Sequence, residues 1–252
     1  MVILDAVSQG GLAWSQKEYP TSADRVVQGG TKRRILAELK REGACTIGSL
    51  AGALGLAPMT VRQHLATLER DGLVHGTEQR GTVGRPSLRY VLTDAGAETF
   101  PRRYDELAAL LLATLAGPHR ETLLSLPPER RADGLWDLLA DRAVEPFLPR
   151  LERLPPRQRI HAAAAVLDCE SGLVDVRVDG ARVELVDYNC PYRRVACEDP
   201  RVCAWHERVV SRLVGSEVAV VESQCTGSNC CRFVFFITDE ATPVVKKGTE
   251  DG

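Results

Sequence analysis

The chain has 252 residues, 44% of them hydrophobic, enough for one large domain or two small ones. A formal net charge of -2 is too near balance to argue for any partner from bulk charge. No apolar run reaches the roughly 18 residues of a membrane-spanning helix, and Met1 to Gly11 lacks the basic segment, apolar core and cleavage site of a secretory leader; a cytoplasmic protein with no membrane partner is expected.

Residues 1–30 are punctuated by Gly10-Gly11, Pro20 and Gly29-Gly30, show no sustained period, and are expected to form a mobile arm. From residue 31 to 99 the pattern changes. Thr31 is placed to cap a helix with Ile35, Leu36 and Leu39 inward and Gly43 at its end. Thr46 opens a second helix, with Ile47, Leu50 and Leu54 inward. Gly55 suits the left-handed conformation of a tight turn, and Pro58 pre-sets the first turn of a third helix. On that helix Val61, Leu65 and Leu68 share one face, while Thr60, Arg62, Gln63, His64 and Thr67 lie on the others. This is a helix-turn-helix pattern, in which the third helix enters the major groove by its N-terminal end. Arg62 suits a guanine edge or a phosphate, Gln63 an adenine and Thr60 a phosphate.

Three ordinary helices with a solvated polar face would look the same, but the next segment favours DNA. Leu73-Val74 and Leu88 to Leu92 read as two strands around a loop, Gly76 to Ser87. The stretch from Arg80 to Tyr90 holds Arg80, Arg85 and Arg89 and no acid. A Gly-rich basic wing of this kind is drawn to phosphates or the minor groove, which adds Arg80 and Arg85 to the candidate DNA contacts. The runs Val61 to Leu65, Asp71 to Val74, Gly84-Arg85-Pro86 and Tyr90 to Thr93 resemble winged-helix bacterial regulators, which implies a double-stranded DNA operator as partner.

Residues 100–168 are expected to be a helical linker. Tyr104, Leu107, Leu111 and Leu115 form a stripe flanked by Leu110 and Leu112, so the helix is apolar around more than half its girth. A helix-turn-helix usually reads paired half-sites, so this face predicts a homodimer. Cys169 is expected to be a plain buried thiol.

Residues 169–240 are expected to form a small α+β sensor domain, followed by a disordered tail, 241–252. Val174, Val176 and Val178 alternate with polar residues, Asp179-Gly180 is a hairpin turn, and Glu217 to Glu222 and Cys231 to Ile237 supply further strands. Six of the eight cysteines fall between Cys190 and Cys231, and in a reducing compartment such crowding reads as a metal or redox site. Cys190 and Cys203 are expected near helix N-termini, whose N–H groups lower a thiol pKa. Twelve residues separate Cys190 from Cys203 and twenty-seven separate Cys203 from Cys231, too long for a zinc knuckle and unlike ferredoxin runs. Such spacing suits a cluster gripped between separate elements. Period two places Cys231 with Phe233, Phe235 and Ile237, and Cys230 with Arg232, which favours Cys231 as a ligand. The chain holds no C-x-x-C, G-x-G-x-x-G or P-loop, so an enzyme, such as a thiol oxidoreductase, is not expected.

At Asn189-Cys190-Pro191-Tyr192, Pro200 to Cys203, Leu213-Val214-Gly215 and Cys231-Arg232-Phe233, and again from Gly84 to Gly96 and at Phe100-Pro101, the chain resembles the suf-operon repressor family, SufR. The resemblance spans Thr31 to Ile237. It implies a homodimeric regulator whose sensor domain binds a [4Fe-4S] cluster, with the family's three cysteines falling on Cys190, Cys203 and Cys231. It also implies that the loaded dimer represses genes for iron–sulfur assembly and that cluster loss relieves repression. The extra Cys197, Cys225 and Cys230, together with His206 and a non-protein ligand, leave the fourth ligand open. Zinc in the same site, making it structural or metal-sensing, is the competing expectation.

Overall fold

The computed structural model describes residues 30–79, 87–117 and 119–237. The expected arm, the tail and the part of the wing that carries Arg80 and Arg85 lie outside these residues.

The N-terminal part is an α+β head. Helix α1 (Gly30–Glu42) leads through a two-residue strand β1 (Ala44–Cys45) to α2 (Ile47–Leu54) and α3 (Pro58–Arg70). Thr31, expected as a cap, lies inside α1, which is already helical at Gly30. Thr46 caps α2 as expected. Its hydroxyl accepts from Ser49 N while Ser49 Oγ accepts from Thr46 N, a reciprocal capping box. Gly55 ends α2 at φ 64°, the left-handed region that a Cβ disfavours, and Pro58 is the first residue of α3. Ile35, Leu36 and Leu39 meet Leu50, Val61, Leu65 and Leu68 in the head's core. Strands β2 (Val74–Gln79) and β3 (Ser87–Leu92) complete an antiparallel sheet of order β1-β3-β2, followed by the short α4 (Asp94–Ala97). The first wing strand is longer than Leu73-Val74, because its pairing with β3 continues to Gln79 opposite Ser87.

The rest of the chain runs α5 (Tyr104–Ala116), α6 (His119–Ser125), α7 (Arg131–Val144), α8 (Leu148–Leu151), α9 (Pro156–Ser171), β4 (Val174–Asp179), β5 (Arg182–Asp187), α10 (Arg193–Glu198), α11 (Arg201–Val214), β6 (Ala219–Glu222) and β7 (Cys231–Phe236). The four strands form an antiparallel sheet of order β4-β5-β7-β6. Asp179 pairs with Arg182, so the hairpin turn is Gly180-Ala181, one residue beyond the expected pair. Alternation along β5 and β7 sends Val183, Leu185, Phe233 and Phe235 into a core shared with Leu139 of α7, Leu167 of α9 and Leu213 of α11. On the opposite side, Val186, Tyr188 and Cys230 join Ile35, Leu65 and Phe100 in the core of the head. One sheet therefore serves two cores. On α5 the expected stripe and its flanks are covered only in part: Leu107 is buried, whereas Leu115 of the stripe is 43% exposed and the flanking Leu112 68%. Among the described residues no helix is long and apolar enough to cross a membrane.

Lys40 sits at the junction of head and sheet. It is 5% exposed, with its Nζ 5.8 Å from the centre of the Phe100 ring. Burial, then repulsion from Arg193 and Arg102, pulls its ammonium down from 10.5 to about 8. The folded state thus holds this proton less tightly than the unfolded chain does. Its burden on stability is complete below about pH 8 and lifts as pH rises toward 10.5. Lys40→Met is therefore expected to raise stability at neutral pH by roughly 1–3 kcal/mol, with the gain shrinking in alkali. Urea unfolding of both forms at the two pH values measures this.

Candidate functional site

Two surfaces carry chemistry: the outer face of α3 and a cysteine-lined cavity beside β7. On α3, Val61, Leu65 and Leu68 face the core, which leaves Arg62 and Gln63 exposed and Thr60, His64 and Thr67 half-buried. The N-cap, Ala57, offers no side-chain bond to the first-turn N–H groups, so these remain free for a phosphate oxygen. The Thr67 hydroxyl donates to Gln63 O at 3.0 Å, which leaves it only an acceptor for DNA. Met59, not singled out by the sequence, is 60% exposed at the second position of α3. An apolar side chain at the end that enters a groove suits a thymine methyl.

The cavity measures about 400 Å³ and is lined by Cys190, Cys197, Cys203, Cys225 and Cys231. Each comes from a different place. Cys190 lies in the loop between β5 and α10, Cys197 on α10, Cys203 in the first turn of α11, Cys225 in a 3-10 turn (Gln224–Thr226), and Cys231 at the start of β7. The Cys197 and Cys225 sulfurs are 2.7 Å apart, and those of Cys203 and Cys225 are 3.9 Å apart. Among the described residues no three His, Cys, Asp or Glu side chains converge closely enough to hold a single metal ion. His206 also lines the cavity, with its ring against Tyr192, Trp205 and Phe233. Burial lowers its pKa to about 4, so the imidazole is neutral.

Cys230 and Cys231 part company in the direction period two anticipates, although β7 begins only at Cys231. Cys231 packs on the helical core beside the cavity. Cys230 is 4% exposed in the core of the head, and its thiol donates to Glu222 Oε2 at 3.0 Å. Burial, then that bond, pushes the Cys230 thiol up to about 12.

The expected lowering of a thiol pKa by a helix N-terminus fails at Cys190. Helix α10 begins only at Arg193, and although the Tyr192 backbone bonds to the sulfur, burial and the neighbouring Cys231 push its pKa up. Burial likewise raises Cys231 to about 11, against a backbone bond from Gln224. These two thiols therefore stay protonated at neutral pH until a cation displaces their protons. Cys169, expected to be buried, is half-buried near the end of α9.

One residue that sequence reasoning missed ties the segment leading into the cavity wall to the head. Asn229 donates from Nδ2 to Lys40 O at 2.8 Å and to Arg41 O at 2.7 Å. These are carbonyls of the last turn of α1, which have no partner within the helix. The Arg41–Asp175 ion pair, at 3.4 Å, holds the same corner. Along three consecutive residues, Asn229 grips the head, Cys230 enters its core and Cys231 lines the cavity. No local signal marks Asn229, because its partners are 189 and 188 residues away.

Compared with known proteins, residues 30–75 match the model for winged helix-turn-helix DNA-binding domains. A stretch of 63 residues, 25% of this chain, is 41% identical to the probable C4-dicarboxylate response regulator DctR of Bacillus subtilis (strain 168). The match spans 28% of that protein's length. No solved structure matches. Residues 30–75 are accordingly a winged helix-turn-helix of the DNA-binding type, the kind of domain that transcription regulators carry.

Proposed function

We propose that the chain is a homodimeric transcription regulator, a repressor of iron–sulfur assembly genes, whose DNA-binding head answers to a [4Fe-4S] cluster held by Cys190, Cys203 and Cys231. The observation that carries this reading is the sulfur-lined cavity, whose wall at Cys231 lies two residues from the grip of Asn229 on α1. The donors fit the group: soft thiolates in an apolar setting select zinc or iron–sulfur clusters. Thiolates around one zinc ion stand roughly 3.8 Å apart. No such group of three exists among the described residues, and the preference for a cluster over zinc rests on the family resemblance. The resemblance to the SufR family supports the same choice of ligands. When bound, such a cluster supplies iron–thiolate bonds that oxidants and iron shortage can break.

The remaining steps belong to the chain's own residues. Cys190, Cys203 and Cys231 bind from a loop, a helix and a strand, so ligation restrains all three elements together. A shift at Cys231 moves Asn229, and with it the end of the helix on which the core of the head is built. A coupling of ~1–3 kcal/mol is typical between linked sites, enough for a severalfold or larger change in operator occupancy. Self-association is supported by the leucines that α5 and α6, packed on each other, leave in solvent: Leu112, Leu115 and Leu124.

The test is anaerobic purification with iron and sulfide counted per chain, then operator binding before and after exposure to air. Brown protein that loses DNA affinity in air supports the reading. Colourless protein with bound zinc replaces it with the zinc-site alternative. Asn229→Ala removes the grip on α1 but touches neither site. It is expected to keep iron and DNA binding while the affinity difference between loaded and air-exposed protein falls toward none. Losing two bonds to helix-end carbonyls should also lower stability by about 1–2 kcal/mol, read from urea unfolding.

A further inference from the structure

We propose that Cys197 and Cys225 are a thiol pair that hydroperoxides convert to a reversible disulfide at the edge of the cysteine cavity. Their sulfurs stand 2.7 Å apart, so a small movement reaches the bond length of about 2.05 Å. Cys203, the other sulfur in contact with Cys225, is farther off at 3.9 Å. Cys197 is exposed, so a dissolved oxidant reaches it, while Cys225 waits half-buried behind it. Both sit on small elements, a six-residue helix and a three-residue turn, that pack on each other. The turn ends at Gly227, φ 98°, in a left-handed conformation. The needed movement can therefore be taken up there and not in the sheet. In a reducing compartment such a bond is transient and belongs to sensing.

The chemistry balances. The Cys197 sulfur attacks the peroxide, the O–O bond breaks, and Cys197 becomes a sulfenic acid as water, or an alcohol, leaves. The Cys225 sulfur then attacks the Cys197 sulfur. The S–O bond breaks, and a second water carries off the Cys225 proton. Two thiols have lost two electrons to the peroxide, and a dithiol reductant returns them. The bond ties α10 to the turn that leads into Asn229 and β7, and it withdraws both sulfurs from the cavity's donors. Cys190, Cys203 and Cys231 stay free. The pair needs no bound metal and goes beyond the cluster reading.

The full-length chain is reduced, stripped of metal with a chelator, desalted without air, treated with hydrogen peroxide, alkylated and digested with trypsin. Cleavage after Arg194, Arg201 and Arg208 puts Cys197 and Cys203 on separate peptides. The expected product is a cross-linked peptide joining residue 197 to residue 225, lost on treatment with a dithiol. It should be absent in Cys197→Ser and in Cys225→Ser, and Cys197→Ser should keep the far-UV spectrum of the parent. A link from Cys225 to Cys203, a link between Cys190 and Cys231, or a Cys197 that remains fully alkylatable overturns the proposal. Iron and sulfide take no part in this readout. A protein that is colourless as purified anaerobically but forms the link after stripping refutes the cluster reading alone, and one that is brown as purified but does not form it refutes the thiol pair alone.

Discussion

Serine at Cys190, Cys203 or Cys231 is expected to abolish the absorbance near ~410 nm and the bound iron and sulfide of anaerobically purified protein, whereas serine at Cys230 or Cys169 leaves them in place. The exchange keeps side-chain size and swaps a soft sulfur for a hard oxygen whose proton does not leave at neutral pH, so a ligand is lost with little change of packing. Cys230 is adjacent in sequence to Cys231 but lies in a different core, bonded to Glu222, and a serine there keeps a donor for that carboxylate. The contrast between neighbours makes the experiment sharp. General damage to this strand would remove colour from both variants, and a ligand role removes it from one. Full colour in Cys231→Ser would refute its place among the ligands. Circular dichroism of each variant separates loss of a ligand from loss of fold.

Arg62→Ala is expected to weaken binding to a cognate duplex by ~1–3 kcal/mol, about 5- to 150-fold, if the guanidinium reads a guanine edge. The residue stands exposed on α3 beside the buried Val61 and has no ion-pair partner among the described residues, so its removal leaves the head intact. A base contact and a phosphate contact give different outcomes. A lost base contact relaxes the preference at one position of the site. A lost phosphate contact weakens all sequences alike and lowers the salt slope by about 1. Fluorescence anisotropy at several salt concentrations, with a duplex selected from random DNA by the full-length protein, distinguishes them. Unchanged affinity and an unchanged slope would remove Arg62 from the DNA surface. Gln63→Ala should act in the same way at an adenine.

Apart from the start of α1, where Thr31 is not the cap, the helix-turn-helix was legible because its signals are local. A capping threonine at 46, a left-handed glycine at 55 and a proline at 58 each fix one turn of backbone, and apolar residues at helical spacing choose the inner face. That Cys231 and Cys230 face different cores was equally legible, although Cys230 lies one residue ahead of β7, since successive side chains of extended backbone point to opposite sides. The pKa of Cys190 was not legible. Proximity to a helix start is written in sequence, but the burial that outweighs it comes from groups brought in by the fold. The same holds for Thr67, whose polar character was plain and whose hydroxyl proton is engaged within its own helix.

From the amino-acid sequence alone follow the kind of head, the crowding of thiols at one end and the face each strand residue takes, because each depends on neighbours a few positions apart. Only the tertiary structure brings Cys190, Cys197, Cys203, Cys225 and Cys231 around one cavity, hangs the end of α1 on Asn229, and lets one sheet face two cores. Those depend on chain crossings over tens to nearly two hundred residues, where no local periodicity records which side chain will meet which.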